Sequence, residues 1–400
     1  MHGHPSLPCL LVLASTYPRW SSDSEPGFVH ELAKRLTSRF RVLVLCPHSP
    51  GAPHYDLLDG VEVVRYRYAP ECLETLVNNG GIVTNLKRHR LKHLLVPGFV
   101  LMQLWNAWRI CRREEVAVIH AHWLVPQGLT AACLGFLSRG APKFLLTSHG
   151  ADLFALRARP LQSIKRIILR RATQITAVSQ AMLPSLAALG AAGDKVSVAS
   201  MGVDMTKDFV PNGQVERSVN ELLFVGRLVE KKGVRYLIEA LPKVRHLLPA
   251  VTLTIAGFGP EEAFLKSRVH QLGLNSAVKF LGAVPQKELP GLYQRAALFV
   301  APFVQAPSGD QEGLGLVMLE AIGCGCPVLA GNVPAASELL GSEWQVDALD
   351  TEQLAERIVE FLTDSASLSA RIVMLRSNLL PRFDWAHVAA RYADQLDKLR

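Results

Sequence analysis

The sequence predicts an α/β protein with two doubly wound domains, each built on a parallel sheet covered by helices. Short apolar runs alternate with helical patterns, beginning with LPCLLVLAS, FVHELAKRLTSRF and RVLVLCP in the first fifty residues. The alternation stops at residues 201–220, which are rich in turn formers, and then restarts. A chain of 400 residues that are 49% hydrophobic also suits two cores of about 200 residues each.

Further strands are expected in both halves of the chain. In the first half they cover residues 61–66, 116–121, 143–148, 174–178 and 196–200. In the second half they lie in ELLFVGRL, VTLTIAGFG, residues 277–281, AALFVAP and PVLAG, with a helix near 233–247. The break between them places the domains at residues 1–203 and 204–382. Open parallel sheets bind ligands beyond the carboxyl ends of their strands, so functional residues are expected there.

The charge of the chain is uneven. The net charge is +8, but residues 1–205 carry 23 Lys and Arg against 13 Asp and Glu, and the remainder is slightly acidic. The first half is therefore expected to meet something anionic, such as a phospholipid surface or a lipid-phosphate acceptor. The basic cluster KRHRLKH at residues 87–93 precedes the apolar, tryptophan-containing LLVPGFVLMQLWNAW. Contact with an anionic membrane and a solvated turn before a core-facing helix both explain this pattern.

No stretch of the sequence is expected to cross a membrane. The apolar run at residues 94–105 falls short of the roughly 20 residues that a spanning helix needs. The run at residues 7–14 is preceded by no Lys or Arg, and it is interpreted as the first strand rather than a signal peptide. A cytoplasmic protein, peripheral at the inner face of the membrane, is the resulting expectation.

Cations gather after the first strand of the second half. Arg227 ends FVGR, and Lys232 follows in EKKG within a turn. A fixed Arg and Lys can balance the negative charge of a departing diphosphate without a metal. A solvated basic turn is the alternative explanation of these charges.

Two carboxylates bracket the start of a predicted helix in the segment EGLGLVMLE. Glu312 and Glu320 would lie about 12 Å apart if the whole span were helical. Free backbone amides at residues 313–316 could meanwhile hold a diphosphate. Both carboxylates stand among apolar and small residues, where charged groups rarely occur without partners.

These motifs resemble those of family 4 of the nucleotide-sugar glycosyltransferases, retaining enzymes of the GT-B fold. GRLVEKKG, AGFGPEE and the glutamate pair of EGLGLVMLE occur in that family's order and spacing. The resemblance implies two Rossmann-like domains facing across a cleft, with residues 383–400 crossing back to the first domain. It also implies that Arg227 and Lys232 grip the donor diphosphate, that Glu312 contacts the transferred sugar and that Glu320 binds the ribose. The other donor-binding residues implied in this half are Gly226, Gly257, Gly259, Gly313, Leu314, Gly315 and Leu316.

The first half resembles the family more loosely, through IHAHWLVPQG, TSHGAD, ITAVS and VASMGVD. By resemblance His122 approaches the donor sugar from the acceptor side, His149 makes a second donor contact and Asp152 supports their loop. A packed, hydrogen-bonded histidine is the alternative at both positions. The family's first loop normally carries adjacent glycines, whereas this chain has Gly27 alone in SSDSEPGFVHE.

The resemblance implies transfer of a hexose from a GDP- or UDP-sugar to a saccharide or lipid-linked acceptor in cell-surface glycan biosynthesis. Glu312, His122, Arg227 and Lys232 are the expected catalytic residues. No Asp-x-Asp motif appears where it would bind a donor-linked cation, so neither a metal nor another cofactor is expected, and nucleic acid is not an expected partner. A sugar-nucleotide 2-epimerase of the same fold and an inactive sugar-nucleotide-binding partner remain alternatives.

Overall fold

The computed structural model describes residues 7–20, 23, 27–77, 81–137, 140–154 and 158–400. It divides into two compact units. The first contains the described residues up to Met201 together with Val388–Arg400, and the second is Gly202–His387. Most of the loop SSDSEPG lies outside the described residues, although Gly27 is included.

The first unit is a mainly parallel sheet with helices on its faces. The strand order is β3-β4-β2-β1-β5-β6-β7-β8, and only the β3–β4 pair among these strands is antiparallel. The elements are β1 (Cys9–Leu13), α1 (Phe28–Leu36), β2 (Arg41–Pro47), β3 (Tyr55–Leu58), β4 (Val61–Tyr66), α2 (Gly81–Arg88), α3 (Leu95–Arg113), β5 (Val116–His122), α4 (Leu129–Leu137), β6 (Lys143–Ser148), α5 (Ala151–Phe154), α6 (Arg159–Arg171), β7 (Gln174–Ala177), α7 (Leu183–Ala188) and β8 (Val196–Val198).

The central strand of this sheet explains its apolar sequence. Every residue of β1, CLLVL, is buried, and Cys9 lies opposite Arg41 of β2 on one side and Val116 of β5 on the other. A strand covered on both faces reads as a continuous apolar run rather than an alternating one. The strand order reverses between β1 and β5, so the ends of these strands border the crevice where open sheets bind ligands.

The second unit repeats the plan with a fully parallel sheet in the order β11-β10-β9-β12-β13-β14. Its order reverses between β9 and β12. The elements are β9 (Glu221–Val225), α8 (Val234–Leu247), β10 (Thr252–Ala256), α9 (Glu262–Gln271), β11 (Val278–Gly282), α10 (Leu289–Arg295), β12 (Leu298–Ala301), α11 (Leu316–Gly323), β13 (Val328–Gly331), α12 (Pro334–Ser337), β14 (Gln345–Val346), α13 (Thr351–Thr363), α14 (Ser365–Phe383) and α15 (Trp385–Asp397).

Helix α15 belongs to both units. Its first three residues belong to the second unit, as do the residues just before it, where Val203 N–H donates to Phe383 O at 2.9 Å and Met205 N–H donates to Asp384 at 3.2 Å. Its later part packs in the first unit, where the Tyr392 hydroxyl donates to Ala199 O at 2.7 Å. The predicted α/β class with two parallel-sheet domains is confirmed, whereas the division falls after Met201 and before Val388 rather than at 203 and 383.

The helical run Arg90–Arg113 is longer than the apolar stretch at residues 94–105 that the sequence shows. It has 24 residues, and within the described residues it is the helical stretch whose length and composition would allow it to cross a membrane. One side of the run packs inside the first unit, where Phe99, Gln103 and Ala107 are buried. The Thr130 hydroxyl of α4 donates to Gln103 Oε1 at 2.9 Å.

Candidate active site

Two glycine turns lie side by side at the carboxyl ends of β9 and β10. Gly226 has a φ of 148° and Gly257 a φ of 145°, a region that favours glycine. A Cβ atom at Gly257 would lie 1.8 Å from Gly226 O, so a side chain there would collide with the neighbouring turn. Gly259 is equally confined, since its Cβ would lie 2.3 Å from Leu228 O. The structure thus brings these three predicted glycines together at the strand ends.

Lys232 and Glu312 form an ion pair beside these turns. Lys232 ends the 3-10 turn Glu230–Lys232 after β9, and Glu312 lies in the loop between β12 and α11. The Lys232 Nζ atom is 2.7 Å from Glu312 Oε2, and their side chains are only 12% and 16% exposed. The ammonium group also lies 4.3 Å from the centre of the Phe303 ring, which favours its charge through the electrons of the ring face. Arg227 follows Gly226 at the end of β9 and is partly buried.

The electrostatic surroundings keep Glu312 ionised. Burial alone would raise its pKa, but the positive charges of Lys232 and Lys231, with hydrogen bonds from Lys232 and the Gly313 N–H, lower the pKa to about 2. At neutral pH the carboxylate is therefore an acceptor of hydrogen bonds and cannot donate a proton. Such a group suits binding sugar hydroxyls better than general acid chemistry.

Lys231 ties the loop of Glu312 to the turn after β9. Its Nζ donates to Asp310 Oδ1 at 3.2 Å and to Gln311 O at 3.0 Å, and its carbonyl accepts from Val304 N–H at 3.0 Å. Lys231 was not among the residues predicted from the sequence. The Lys-Lys doublet in EKKG was the available signal, since adjacent residues of a turn point in different directions.

Helix α11 begins at Leu316, so residues 312–315 are not helical. The separation of about 12 Å expected for a helical span does not apply, because the helix does not extend back to Glu312. Gly315 has a φ of 78°, and a Cβ there would lie 2.7 Å from Met318 Cε. The buried Leu314 packs inward from the same turn. The turn that leads into α11 is thus formed by residues 312–316, as the motif predicts.

Glu320 lies buried on α11 with partners for both oxygens. Gln286 Nε2 donates to Oε1 at 2.9 Å, and the Tyr293 hydroxyl donates to Oε2 at 2.8 Å. Burial raises the pKa of Glu320, against the lowering effect of these hydrogen bonds and of Lys232. Gln286 and Tyr293 were missed by sequence reasoning because they lie 34 and 27 residues from Glu320.

In the first unit, three histidines stack at the ends of β5 and β6. The His122 Nδ1 and His149 Nε2 atoms are 3.0 Å apart, and the two rings are stacked with centroids 5.2 Å apart. His120 hydrogen-bonds through Nε2 to Thr147 Oγ1 at 2.8 Å. Burial lowers the pKa of His120 and of His149 to about 3, and it lowers that of His122 well below its usual value. The cluster is therefore neutral at physiological pH, with one ring N–H of the His122–His149 pair donating to the other ring.

Asp152 supports the loop that carries these histidines. Its carboxylate accepts from Leu124 N–H at 2.8 Å, Ser148 Oγ at 3.0 Å and His149 N–H at 3.1 Å. The Phe28 ring packs on His149 with centroids 5.0 Å apart. Gly27 precedes Phe28 at the start of α1, and a Cβ there would meet nothing within 4 Å.

Comparison with known families and known proteins identifies relatives of this chain. Residues 207–373 match the model of glycosyl transferases group 1, and residues 28–207 match that of glycosyltransferase family 4. A GDP-mannose-dependent alpha-(1-6)-phosphatidylinositol monomannoside mannosyltransferase of Mycolicibacterium smegmatis is 31% identical, over 67% of this chain and 74% of that protein. The chain belongs to glycosyltransferase family 4.

Two further similarities agree with this family. WcaL of Salmonella typhimurium, named for colanic acid biosynthesis, is 28% identical over 68% of this glycosyltransferase and 69% of that protein. The crystal structure of Anabaena Alr3699/HepE in complex with UDP-glucose superposes with a TM-score of 0.73, covering 98% of this chain and 100% of that one at 19% identity. The protein is thus a group 1 glycosyltransferase with the GT-B fold.

Proposed function

We propose that this glycosyltransferase takes a hexose from a GDP- or UDP-sugar and transfers it with retention of anomeric configuration. The Lys232–Glu312 pair carries the proposal. A poorly exposed ammonium 2.7 Å from an ionised carboxylate offers one group for a diphosphate and, beside it, one for sugar hydroxyls. The HepE structure is a complex with UDP-glucose, and this supports a nucleotide sugar as donor.

In this proposal the leaving diphosphate is stabilised by Arg227, Lys232 and the backbone amides of residues 313–316. Fixed cations can balance the charge that develops on the leaving oxygen, so we propose a reaction without a metal or other cofactor. Glu312 orients the hexose, and Glu320 accepts hydrogen bonds from the ribose. His122, neutral in its buried cluster, is proposed as a hydrogen-bonding contact to the transferred sugar, and His149 as a second contact to the donor. Among the donor contacts we also propose Gly27 and the glycines at 226, 257 and 259.

The proposed acceptor is a saccharide or a lipid-linked saccharide. The mannosyltransferase relative is named for a phosphatidylinositol mannoside, and WcaL for a polysaccharide. The positive charge of the first half suits an acceptor that carries lipid phosphate. We propose that the enzyme works in the cytoplasm at the inner face of the membrane.

A ligand panel tests the donor. Thermal unfolding with UDP, GDP, ADP and their sugars should single out one nucleotide, since a ligand at 100 times its Kd stabilises the folded state by about 2.7 kcal/mol. Lys232→Met should abolish this stabilisation and lower transfer about 100- to 1,000-fold. Lys243→Met is the matched control, because Lys243 pairs with Glu352 and Glu356 on the exposed side of the same unit.

Product analysis tests the stereochemistry. Proton NMR of the product from an α-linked donor should report an α-linkage. A β-linked product would refute retention, and full transfer by Lys232→Met would refute the donor site. Conversion of the donor to an epimer without an acceptor would favour the epimerase alternative.

A further inference from the structure

The outer surface of the first unit carries exposed apolar side chains among arginines. Helices α3, α4 and α6 lie next to one another over one face of the sheet, and each buries its inner side. Their outer sides therefore point the same way. We call this surface the cationic apolar face. Its members are Leu94, Leu101, Trp105, Phe136, Arg166, Ile167 and Arg170, all exposed.

The spacing along α3 shows that this exposure is systematic. Phe99, Gln103 and Ala107 are buried at intervals of four, and Leu101 and Trp105 stand on the opposite side of the same turns. Leu94, just before α3, is 79% exposed, and Leu91 is 81% exposed. Large aliphatic side chains scattered singly need no explanation, but a row of them beside an indole forms a patch.

The adjoining helices extend the patch and add charge. On α6 the inner side buries Lys165, Ile168 and Leu169, which leaves Arg166, Ile167 and Arg170 outward. The Arg171 guanidinium lies 3.7 Å from the centre of the Phe136 ring and so joins α6 to α4. The face therefore continues across three helices and extends beyond the basic cluster at residues 87–93, in which the side chain of Lys87 lies outside the described residues.

Acidic residues are nearly missing from this part of the sequence. Between residues 81 and 193 the carboxylates are Glu114, Glu115 and Asp152. Asp152 is buried in its loop, and Glu114 accepts from Arg41 Nη1 at 2.7 Å. The field of the face is therefore positive, with little to neutralise it.

We infer that the cationic apolar face docks on an anionic phospholipid surface, with its leucines and Trp105 entering the headgroup boundary. Arginines attract anionic headgroups while apolar side chains and indoles settle at the edge of the acyl region. A second copy of the chain would bring two positive faces together, and nucleic acid would offer no apolar phase for the leucines. The inference rests on the proposed function in that a lipid-linked acceptor would bring the enzyme to a membrane.

Vesicle co-sedimentation at low salt tests the docking. The wild-type protein should bind vesicles of phosphatidylcholine mixed with phosphatidylglycerol and leave vesicles of phosphatidylcholine alone in solution. The variant R166Q/R170Q should bind about 30-fold more weakly, since each arginine near such a surface contributes about fivefold. The control K279Q/K287Q removes the same charge from exposed positions in the second unit and should change binding less than twofold.

A second variant separates apolar insertion from charge. Leu94→Gln should weaken vesicle binding about tenfold or more, because a leucine side chain is no longer transferred out of water. Its effect on folding should be small, as the side chain is exposed. Tryptophan fluorescence should shift to the blue on binding, and the shift should disappear in Trp105→Tyr.

Three results would overturn the docking inference: no sedimentation with anionic vesicles, an equal loss in the control variant, or tighter binding to duplex DNA than to vesicles. A loss of dimer in R166Q/R170Q, seen by ultracentrifugation, would assign the face to self-association instead. Vesicle binding is measured without donor or transfer, so its failure would leave the proposed reaction standing.

Discussion

The Lys232–Glu312 pair is expected to contribute to stability as well as to transfer. Lowering the pKa of Glu312 from 4.5 to about 2 corresponds to roughly 3 kcal/mol in favour of the ionised folded form. Lys232→Met or Glu312→Gln alone leaves a poorly exposed charge without its nearest partner, which should cost about 3 kcal/mol. The double variant should lose about the same amount rather than twice as much.

Urea unfolding at pH 7.5 of wild type, both single variants and the double variant measures this coupling. Because the folded-state pKa of Glu312 is lowered, its contribution is present above pH 4.5 and is lost as the pH falls towards 2. Glu312→Gln should remove that part of the acid dependence. Transfer should fall in all three variants, because each of them lacks at least one group that is proposed to contact the donor.

A matched exposed pair provides the control. Lys243 and Glu352 are 32% and 72% exposed, and their removal should cost between 0 and about 1 kcal/mol. The coupling is refuted if the buried pair behaves in the same way, with single losses below about 1 kcal/mol that simply add in the double variant.

Three further predictions concern the strand-end turns and the two buried clusters. Gly257→Ala should lower the unfolding free energy by about 2 kcal/mol or more, because its Cβ would lie 1.8 Å from Gly226 O; urea titration measures the loss. His120→Gln should flatten the rise in stability between pH 5 and 7, because burial keeps this folded-state pKa near 3 while the unfolded chain takes up a proton. Tyr293→Phe should weaken nucleotide binding about tenfold by calorimetry, since Glu320 loses a hydrogen bond that orients it.

Each of these predictions has a contrary result. An unchanged urea midpoint in Gly257→Ala would mean that the two turns can move apart. An unchanged pH slope in His120→Gln would mean that the imidazole is protonated in the folded state. The affinity of Tyr293→Phe is measured for UDP or GDP and for pyrophosphate, which has no ribose. An equal loss of affinity for both ligands would contradict the proposed contact between Glu320 and the ribose.

Much of the fold was predictable because parallel strands covered on both faces leave continuous apolar runs. Strand β3 was missed, since its sequence YDLL is half exposed and pairs antiparallel at the sheet edge. The signal was available in Asp59 and Gly60, whose φ angles of 49° and 82° fit a hairpin turn between β3 and β4. An edge strand of four residues with no buried side chain lacks the continuous apolar run that identifies the others.

The candidate site, like the fold, contains residues that the sequence predicts and residues that it does not. Local motifs predicted the Lys232 and Glu312 positions, because a strand end and a helix start each leave a signature in a few residues. The hydrogen bonds that Gln286 and Tyr293 donate to Glu320 depend on how α10 and α11 pack, which no local motif encodes. The non-helical turn at residues 312–315 depends on glycines whose backbone conformation only the folded chain reveals.

The shared helix α15 determines the order in which the two units can complete their folding during translation. Tyr392 is fully buried in the first unit, where it contacts His120 and donates to Ala199 O. The first unit is therefore discontinuous along the chain and lacks a core side chain until residues 388–400 have left the ribosome. The second unit, Gly202–His387, is contiguous and can close earlier. During translation the half that begins first is completed last, with its histidine cluster finished only when α15 docks.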